Sequence, residues 1–163
     1  MAHDAERDGI SFLLVQLGAH LAGRFADALA PTGLEPRHVG LLRLLSEREG
    51  MSQQALGDLL GLNATRVVFL VDDMEQRGLV ERRRNPNDRR SHALHLTQPG
   101  RHALARARRL GEQQDADVVA SLAAGDRKEL LRVLRSLADH LGIAPHALPI
   151  PAPVRRDAAR QLP

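Results

Sequence analysis

The sequence predicts a mainly α-helical fold with one small β-hairpin, and three observations predict it. Apolar residues recur at steps of three and four along most of the 163-residue chain, which is typical of helices that pack through one face. Hydrophobic residues make up 43% of the chain and aromatic residues only 2%, so the core consists mainly of Leu, Val and Ala, a composition that favours helices. Between residues 79 and 97, two strand-like runs flank a turn-forming stretch at 85–88.

Four helices are expected ahead of this hairpin. The first covers 9–30, where apolar residues repeat at helical spacing until Pro31 interrupts the pattern. The second begins at Pro36, because proline is well tolerated in the first turn of a helix. Ser52 and Asn63 are expected to cap a short third helix and a fourth helix, since their side-chain oxygens accept backbone N–H groups.

The order of these elements is that of a winged helix-turn-helix. Only a few residues, 61–62, join the third and fourth helices, and the hairpin follows Gly78, which is expected to end the fourth helix. From Arg77 to Arg90, six arginines stand against two acidic residues, whereas the whole chain carries a net charge of only +3. A protruding basic hairpin suits a phosphate backbone or a minor groove.

Two further helices are expected after the hairpin, and they predict a homodimer. Thr97 caps a fifth helix that runs to about Leu122, and Asp126 with Glu129 forms a capping-box pattern for a sixth. The first and last helices carry apolar faces that a small winged core does not need, and a soluble monomer rarely exposes such faces. The alternative is that both helices pack within one chain. The candidate interface residues are Ile10, Leu14, Leu17, Leu21, Leu130, Leu134, Leu137 and Leu141.

The fourth helix is the candidate recognition helix. In a helix-turn-helix, the N-terminal residues of the second helix enter the major groove, where Arg66 can pair with guanine. The alternative is a capped and solvated helix end, but the neighbouring basic hairpin favours contact with double-stranded DNA. The candidate DNA-binding residues are Ser52, Gln53, Asn63, Thr65, Arg66, Phe69, Arg84, Asp88, Arg89 and Arg90.

Residues 10–141 resemble the MarR family of bacterial transcription regulators. The most specific match is the segment GLVERRRNPNDRR at 78–90, followed by Leu96-Thr97 and Gly100. The resemblance implies that Arg90 enters the minor groove at the tip of the wing, that Asp88 orients it, and that the protein is an obligate dimer. The chain departs from the family in the fourth helix, where Val68 and Phe69 replace the usual Ser or Thr followed by Arg.

The resemblance also implies an effector pocket between the dimerisation helices and the DNA-binding lobe. His20, Arg24, His38 and Arg43 are the candidate ligand-binding residues, and they suit an anionic aromatic carboxylate. The expected organisation is a flexible N-terminus at 1–8, a regulator domain at 9–142 and a Pro-rich tail at 143–163. Within the domain, the DNA-binding lobe covers about 36–97, and dimerisation helices cover about 9–30 and 98–142.

The sequence therefore predicts a cytoplasmic, homodimeric repressor that a small anionic aromatic ligand releases from a pseudo-palindromic operator. Two alternatives remain, namely a winged-helix adaptor for an acidic protein and a small helical sensor of ligand or metal. No nucleophile elbow, P-loop or dinucleotide motif is visible, so no enzyme and no cofactor are expected. The absence of cysteine argues against a thiolate metal site, and no segment has the length and apolarity of a membrane span.

Overall fold

The structure, a computed structural model, describes residues 9–85 and 88–143, without the side chains of residue 85 and residues 88–91. The expectations for residues 1–8, for the turn at Pro86 and Asn87 and for the tail from residue 144 onward lie outside this description. Nine elements follow one another: α1 (Ile10–Leu29), a 3₁₀ turn (Ala30–Thr32), α2 (Pro36–Glu47), α3 (Gln53–Leu60), α4 (Ala64–Gln76), β1 (Val80–Asn85), β2 (Asp88–Leu96), α5 (Gln98–Val118) and α6 (Ala124–His140).

The predicted fold class is confirmed, since six helices accompany one two-stranded antiparallel hairpin in the described part of the chain. In the hairpin, Val80 pairs with Leu96 and Arg82 pairs with Leu94. The segment before α3 joins this sheet, because the Gly50 N–H donates to the Leu94 carbonyl at 3.0 Å and the Leu94 N–H donates to the Met51 carbonyl at 2.9 Å. The base of the wing is thereby attached to the helix-turn-helix.

Three of the predicted helix caps form. The side-chain oxygens of Ser52, Asn63 and Thr97 accept the backbone N–H groups of residues 55, 66 and 100, at 3.2, 3.0 and 3.0 Å. Gly61 ends α3 with a φ of 62°, in the left-handed region that favours glycine, and this conformation turns the chain into α4.

The boundary between α5 and α6 corrects two expectations. Helix α5 ends at Val118 rather than near Leu122, and α6 begins after Ala123, which has no side chain able to cap it. Asp126 lies inside the first turn of α6, so the capping box with Glu129 does not form. Instead, Arg127 donates to the Leu122 carbonyl at 2.9 Å, and this contact satisfies a carbonyl of the connecting turn.

Leucine, valine and methionine side chains fill the core between α2, α3, α4, the hairpin and the start of α5. The fully buried members are Leu29, Leu41, Leu42, Leu45, Leu56, Val67, Val71, Met74, Val80 and Leu94. Helix α5 enters this core at Gly100, where an added Cβ would lie 2.0 Å from the Leu79 carbonyl oxygen. Only a residue without a side chain permits that approach.

The helices α1 and α6 contribute little to this core. Leu29 is the only buried residue of α1, and none of the residues of α6 is buried. Both helices nevertheless carry large apolar side chains. No helix in the described ranges is long and apolar enough to cross a membrane.

Candidate nucleic-acid interface and adjoining cavity

Helix α4 separates an apolar face from a solvent-exposed face. Its core-facing side chains are Val67, Leu70, Val71 and Met74. The four candidate contact residues of this region, Asn63, Thr65, Arg66 and Phe69, are all exposed. The structure therefore brings these candidates together on one surface at the N-terminal half of the helix.

The two candidates at the start of α3 have internal partners. The Ser52 hydroxyl caps α3, and the Gln53 side-chain oxygen accepts a hydrogen bond from the Arg82 Nε at 3.2 Å. Both residues are half-buried, and the Gln53 side chain joins α3 to the wing.

Arg82 connects the wing to α4. Its guanidinium is only 18% exposed and pairs with the carboxylates of Asp72 and Glu75 on α4, as well as with Gln53 on α3. Its backbone N–H also donates to Glu75, at 3.2 Å. From the sequence, Arg82 was one of the basic residues expected to make the hairpin positively charged. In the structure its charge is paired with α4, and this pairing fixes the direction of the hairpin relative to that helix.

The remaining described arginines of the wing face solvent. Arg83 pairs with Glu81 on the same strand, and Arg84 is exposed. The side chains of the other wing candidates, Asp88, Arg89 and Arg90, lie outside the described residues. Their backbone belongs to β2, immediately beyond the turn.

A second polar cluster holds the other side of α4. His38 is fully buried, and its Nδ1 accepts the Glu35 N–H at 3.0 Å. The proton of the neutral ring is therefore on Nε2, which lies 3.0 Å from the Asp73 carboxylate of α4. Arg77 donates to the same carboxylate at 2.9 Å and to the Gly33 carbonyl at 2.8 Å.

Burial lowers the pKa of His38 below its usual value, although the Asp73 carboxylate acts in the opposite direction. Burial also raises the pKa of Asp73, but the hydrogen bond and charge of Arg77 outweigh it, so the pKa of this carboxyl is lowered overall. At neutral pH the cluster therefore contains a neutral imidazole that donates to an ionised carboxylate.

A cavity of about 620 Å³ lies between α1, α2 and α5. Its apolar lining includes Leu21, Phe25, Val39 and Leu104, and Arg43 and Arg108 contribute guanidinium groups. Glu47 lies 3.5 Å from the Arg43 Nε, and Arg108 donates to the Ser46 hydroxyl at 3.4 Å. The acidic residues in the lining are Glu47, Glu112 and Asp115.

One of the four ligand-binding candidates, Arg43, lines this cavity. Arg24 forms an ion pair with Asp117 at 3.3 Å, and His20 is exposed on α1. His38 lies on the opposite side of α2, against α4. Arg108 also lines the cavity but was not among the candidates. The sequence feature that could have identified it is its position on α5 next to the apolar repeat of Leu104 and Ala107.

The candidate interface residues lie on the exposed surfaces of α1 and α6. Ile10 is 74% exposed, and large exposed side chains continue along both helices at Leu14, Leu17, Leu130 and Leu134, and at Leu141 immediately after α6; Leu21 and Leu137 are half-buried. Within the described ranges, no three His, Cys, Asp or Glu side chains are grouped closely enough to hold a metal ion.

The chain is similar to known regulators of one family. A sequence profile described as the MarR family matches residues 32–91. A candidate transcriptional regulatory protein for the hcr operon of Thauera aromatica is 34% identical over 130 residues, which cover 75% of this chain and 78% of that protein.

Solved structures of similar proteins include DNA-bound and ligand-bound forms. The repressor CouR bound to a 23-mer DNA duplex is 33% identical, with a TM-score of 0.69, over 80% of this chain and 92% of that one. CouR from Rhodococcus jostii RHA1 bound to p-coumaroyl-CoA matches with 32% identity and a TM-score of 0.65 over the same shares. Rv2887 of Mycobacterium tuberculosis in complex with salicylic acid is 31% identical, with a TM-score of 0.65, over 84% of this chain and 99% of that one.

Proposed function

The chain belongs to the MarR family of transcriptional regulators, and we propose that it is a homodimeric repressor of a pseudo-palindromic operator. Members of this family regulate transcription and are not enzymes. Because bacterial chromosomal DNA lies in the cytoplasm, a protein that regulates transcription by binding this DNA is expected there. The observation that best supports DNA binding is the exposed surface of α4 beside an arginine-rich hairpin. Arg82 fixes the direction of this hairpin relative to α4.

Two parts of the surface bind DNA in this proposal. The exposed face of α4, with Asn63, Thr65, Arg66 and Phe69, enters the major groove, where Arg66 reads a guanine. The wing, with Arg84, Asp88, Arg89 and Arg90, follows the phosphate backbone into the minor groove. Ser52 and Gln53 support this surface at the start of α3. The binding of a 23-mer duplex by CouR supports double-stranded DNA as the partner.

The dimer places two such surfaces on one duplex. The exposed apolar faces of α1 and α6 support it, since pairing two copies removes them from water. Two recognition helices then enter successive major grooves, roughly 34 Å apart. Each half-site needs the other because the summed contacts of both subunits supply the affinity.

A small anionic aromatic ligand releases the repressor in this proposal. The cavity between α1, α2 and α5 offers apolar walls for a ring, and Arg43 and Arg108 suit a carboxylate. Salicylic acid bound to Rv2887 and p-coumaroyl-CoA bound to CouR support this ligand class. Release requires that the ligand prefers the arrangement of the dimer that does not fit DNA.

The test measures the affinity of the full chain for duplexes selected from genomic DNA, across a series of salt concentrations. Arg90→Ala is expected to weaken binding to every duplex and to reduce the salt slope by about one per subunit, because each subunit loses a phosphate contact. Arg66→Ala is expected to relax the choice at particular base pairs, at a cost of about 1–3 kcal/mol.

Arg109→Ala is the matched control, since Arg109 is exposed on α5, outside both surfaces. An unchanged affinity of Arg90→Ala contradicts the assignment of the wing. Failure of the unmodified chain to bind any duplex contradicts the function itself.

A further inference from the structure

Phe69 is the most exposed large apolar side chain of α4. It is 70% exposed, whereas the core-facing apolar residues of the same helix are buried. A helix turns by about 100° per residue, which places Phe69 near the centre of the solvent-facing side, one turn after Thr65 and one turn before Asp73. An aromatic ring therefore occupies the middle of the surface that faces outward from the helix-turn-helix.

Phe69 and its neighbour Val68 form a small exposed apolar patch on this surface. Val68 lies beside it and is 43% exposed. The acidic residues of the next turn are engaged elsewhere, since Asp72 pairs with Arg82 and Asp73 pairs with Arg77 and His38. Their charges are thus compensated within the chain, and this compensation limits their repulsion of a nearby phosphate backbone.

The size of this apolar patch suits a small apolar group better than another protein. One aromatic side chain covers about 150–250 Å². A stable protein interface buries about 800 Å² on each partner. The larger apolar faces of the described chain, on α1 and α6, are the ones that suit a second copy.

In the major groove, the only apolar group that a base edge presents is the C5 methyl of thymine. We propose that Phe69 reads a thymine in each half-site of the operator through contact with this methyl group. The inference rests on the proposed function, and it names a base that Arg66 does not read. A phenyl ring cannot detect a hydrogen-bond donor or acceptor, so the methyl group alone carries the discrimination.

The test uses an operator duplex selected by the full chain from a randomised pool. Each thymine is replaced in turn by uracil, which removes the methyl group and leaves the base pairing intact. At one symmetric position, the unmodified protein is expected to lose about fourfold in affinity per half-site and roughly fifteenfold when both half-sites are changed. Phe69→Ala is expected to bind the thymine and uracil duplexes equally.

Two further variants define the contact. Phe69→Leu keeps an apolar side chain and is expected to retain part of the response to the methyl group. Val68→Ala is the matched control and is expected to respond as the unmodified protein does. The salt slope of Phe69→Ala is expected to be unchanged, because the phenyl ring replaces no phosphate counterion.

The outcomes separate this inference from the function on which it rests. Selective binding of the unmodified protein that is indifferent to every uracil replacement overturns the inference and leaves the repressor intact. A Phe69→Ala protein that still distinguishes thymine from uracil also overturns it, as does a loss of discrimination in Val68→Ala alone. Absence of duplex binding by the unmodified protein overturns both.

Discussion

Two polar side chains, the buried His38 and the half-buried Arg82, hold α4 from opposite sides. His38 reaches Asp73 from α2, and Arg82 reaches Asp72 and Glu75 from the wing. Removing Arg82 takes this partner away from Asp72 and Glu75, whereas removing His38 leaves Asp73 with Arg77 as its partner. These contacts fix the position of the candidate recognition helix more specifically than the apolar core alone.

The protonation of His38 is expected to couple stability to pH. Burial lowers its pKa in the folded state, so below about pH 6.5 the unfolded chain binds a proton that the folded chain does not. Stability is therefore complete above the unfolded pKa and is lost as pH falls through it. The groups around the ring are Glu35, Arg37, Asp73 and Arg77. Urea unfolding at pH 7.5 and 5.5, at fixed protein concentration, measures this loss.

His38→Gln removes the titrating ring and is expected to reduce the difference in stability between the two pH values. His102→Gln is the control, since His102 is exposed on α5 and bonds only to Gln98 among its described partners. Equal pH dependence in His38→Gln and the unmodified protein contradicts this account. The sequence alone did not predict the role of His38, because its partner Asp73 lies 35 positions away on another helix.

At the scale of elements, α2 lies between the cavity and α4. Pro36 and Val39 line the cavity, while His38, between them in the sequence, faces α4 and contacts Asp73. A ligand that fills the cavity therefore touches the same helical turn that positions the candidate recognition helix. We expect a ligand bound in the cavity to displace α2, and this displacement to change the position of α4 and so the affinity for DNA.

Arg108→Ala is expected to reduce the sensitivity of the protein–DNA complex to salicylate. Loss of a charge-assisted hydrogen bond costs about 2 kcal/mol, which raises the half-effective salicylate concentration roughly thirtyfold. Arg109→Ala is again the matched control, because its side chain belongs to the same helix and is absent from the cavity lining. Fluorescence anisotropy of a labelled operator measures release.

Basal affinity for the operator is expected to stay the same in both variants. Equal loss of sensitivity in Arg108→Ala and Arg109→Ala would indicate a general charge effect and would contradict a site in this cavity.

The sequence predicted elements well where the causes are local. The caps at Ser52, Asn63 and Thr97 depend on a hydrogen bond to a backbone group three residues away, and all three form. The turn between α5 and α6 instead contains a contact that the sequence pattern did not indicate, from the Arg127 side chain to the Leu122 carbonyl. The cavity is formed by three helices that are distant in sequence, so the sequence identified Arg43 but not Arg108 as part of its lining.

At the scale of the whole molecule, we expect α1 and α6 to determine whether the protein functions as one subunit or two. Both helices expose apolar side chains along most of their length and bury almost none within the chain. Apart from Leu29 and the adjoining Phe25 at the end of α1, the core of the winged region forms without these two helices. The sequence predicted that α1 and α6 have apolar faces, because helical periodicity reveals such a face. It could not show which apolar faces stay exposed to solvent once the chain has folded.

Leu17→Glu is expected to shift the dimer towards monomer. A buried leucine contributes about 1.5–3 kcal/mol, and two-fold symmetry places the substitution at the interface twice, so dimerisation weakens by about 3–6 kcal/mol. Sedimentation velocity over a range of concentrations measures this shift. Affinity for a palindromic operator is expected to fall with it.

Leu59→Glu is the control for oligomeric state, because Leu59 is an exposed apolar residue of α3, outside the two helices. A Leu17→Glu protein that stays dimeric contradicts the assignment of α1 to the interface.

The attachment of Arg82 to α4 has a consequence for how the repressor leaves its operator. Because one guanidinium joins the base of β1 to Asp72 and Glu75, the hairpin follows any tilt of the helix. We therefore expect the groove contacts of α4 and the backbone contacts of the wing to break together rather than one after the other. We expect dissociation from DNA to follow a single exponential. We also expect few complexes in which only α4 or only the wing is bound, so that promoter occupancy changes between bound and free when the effector is added.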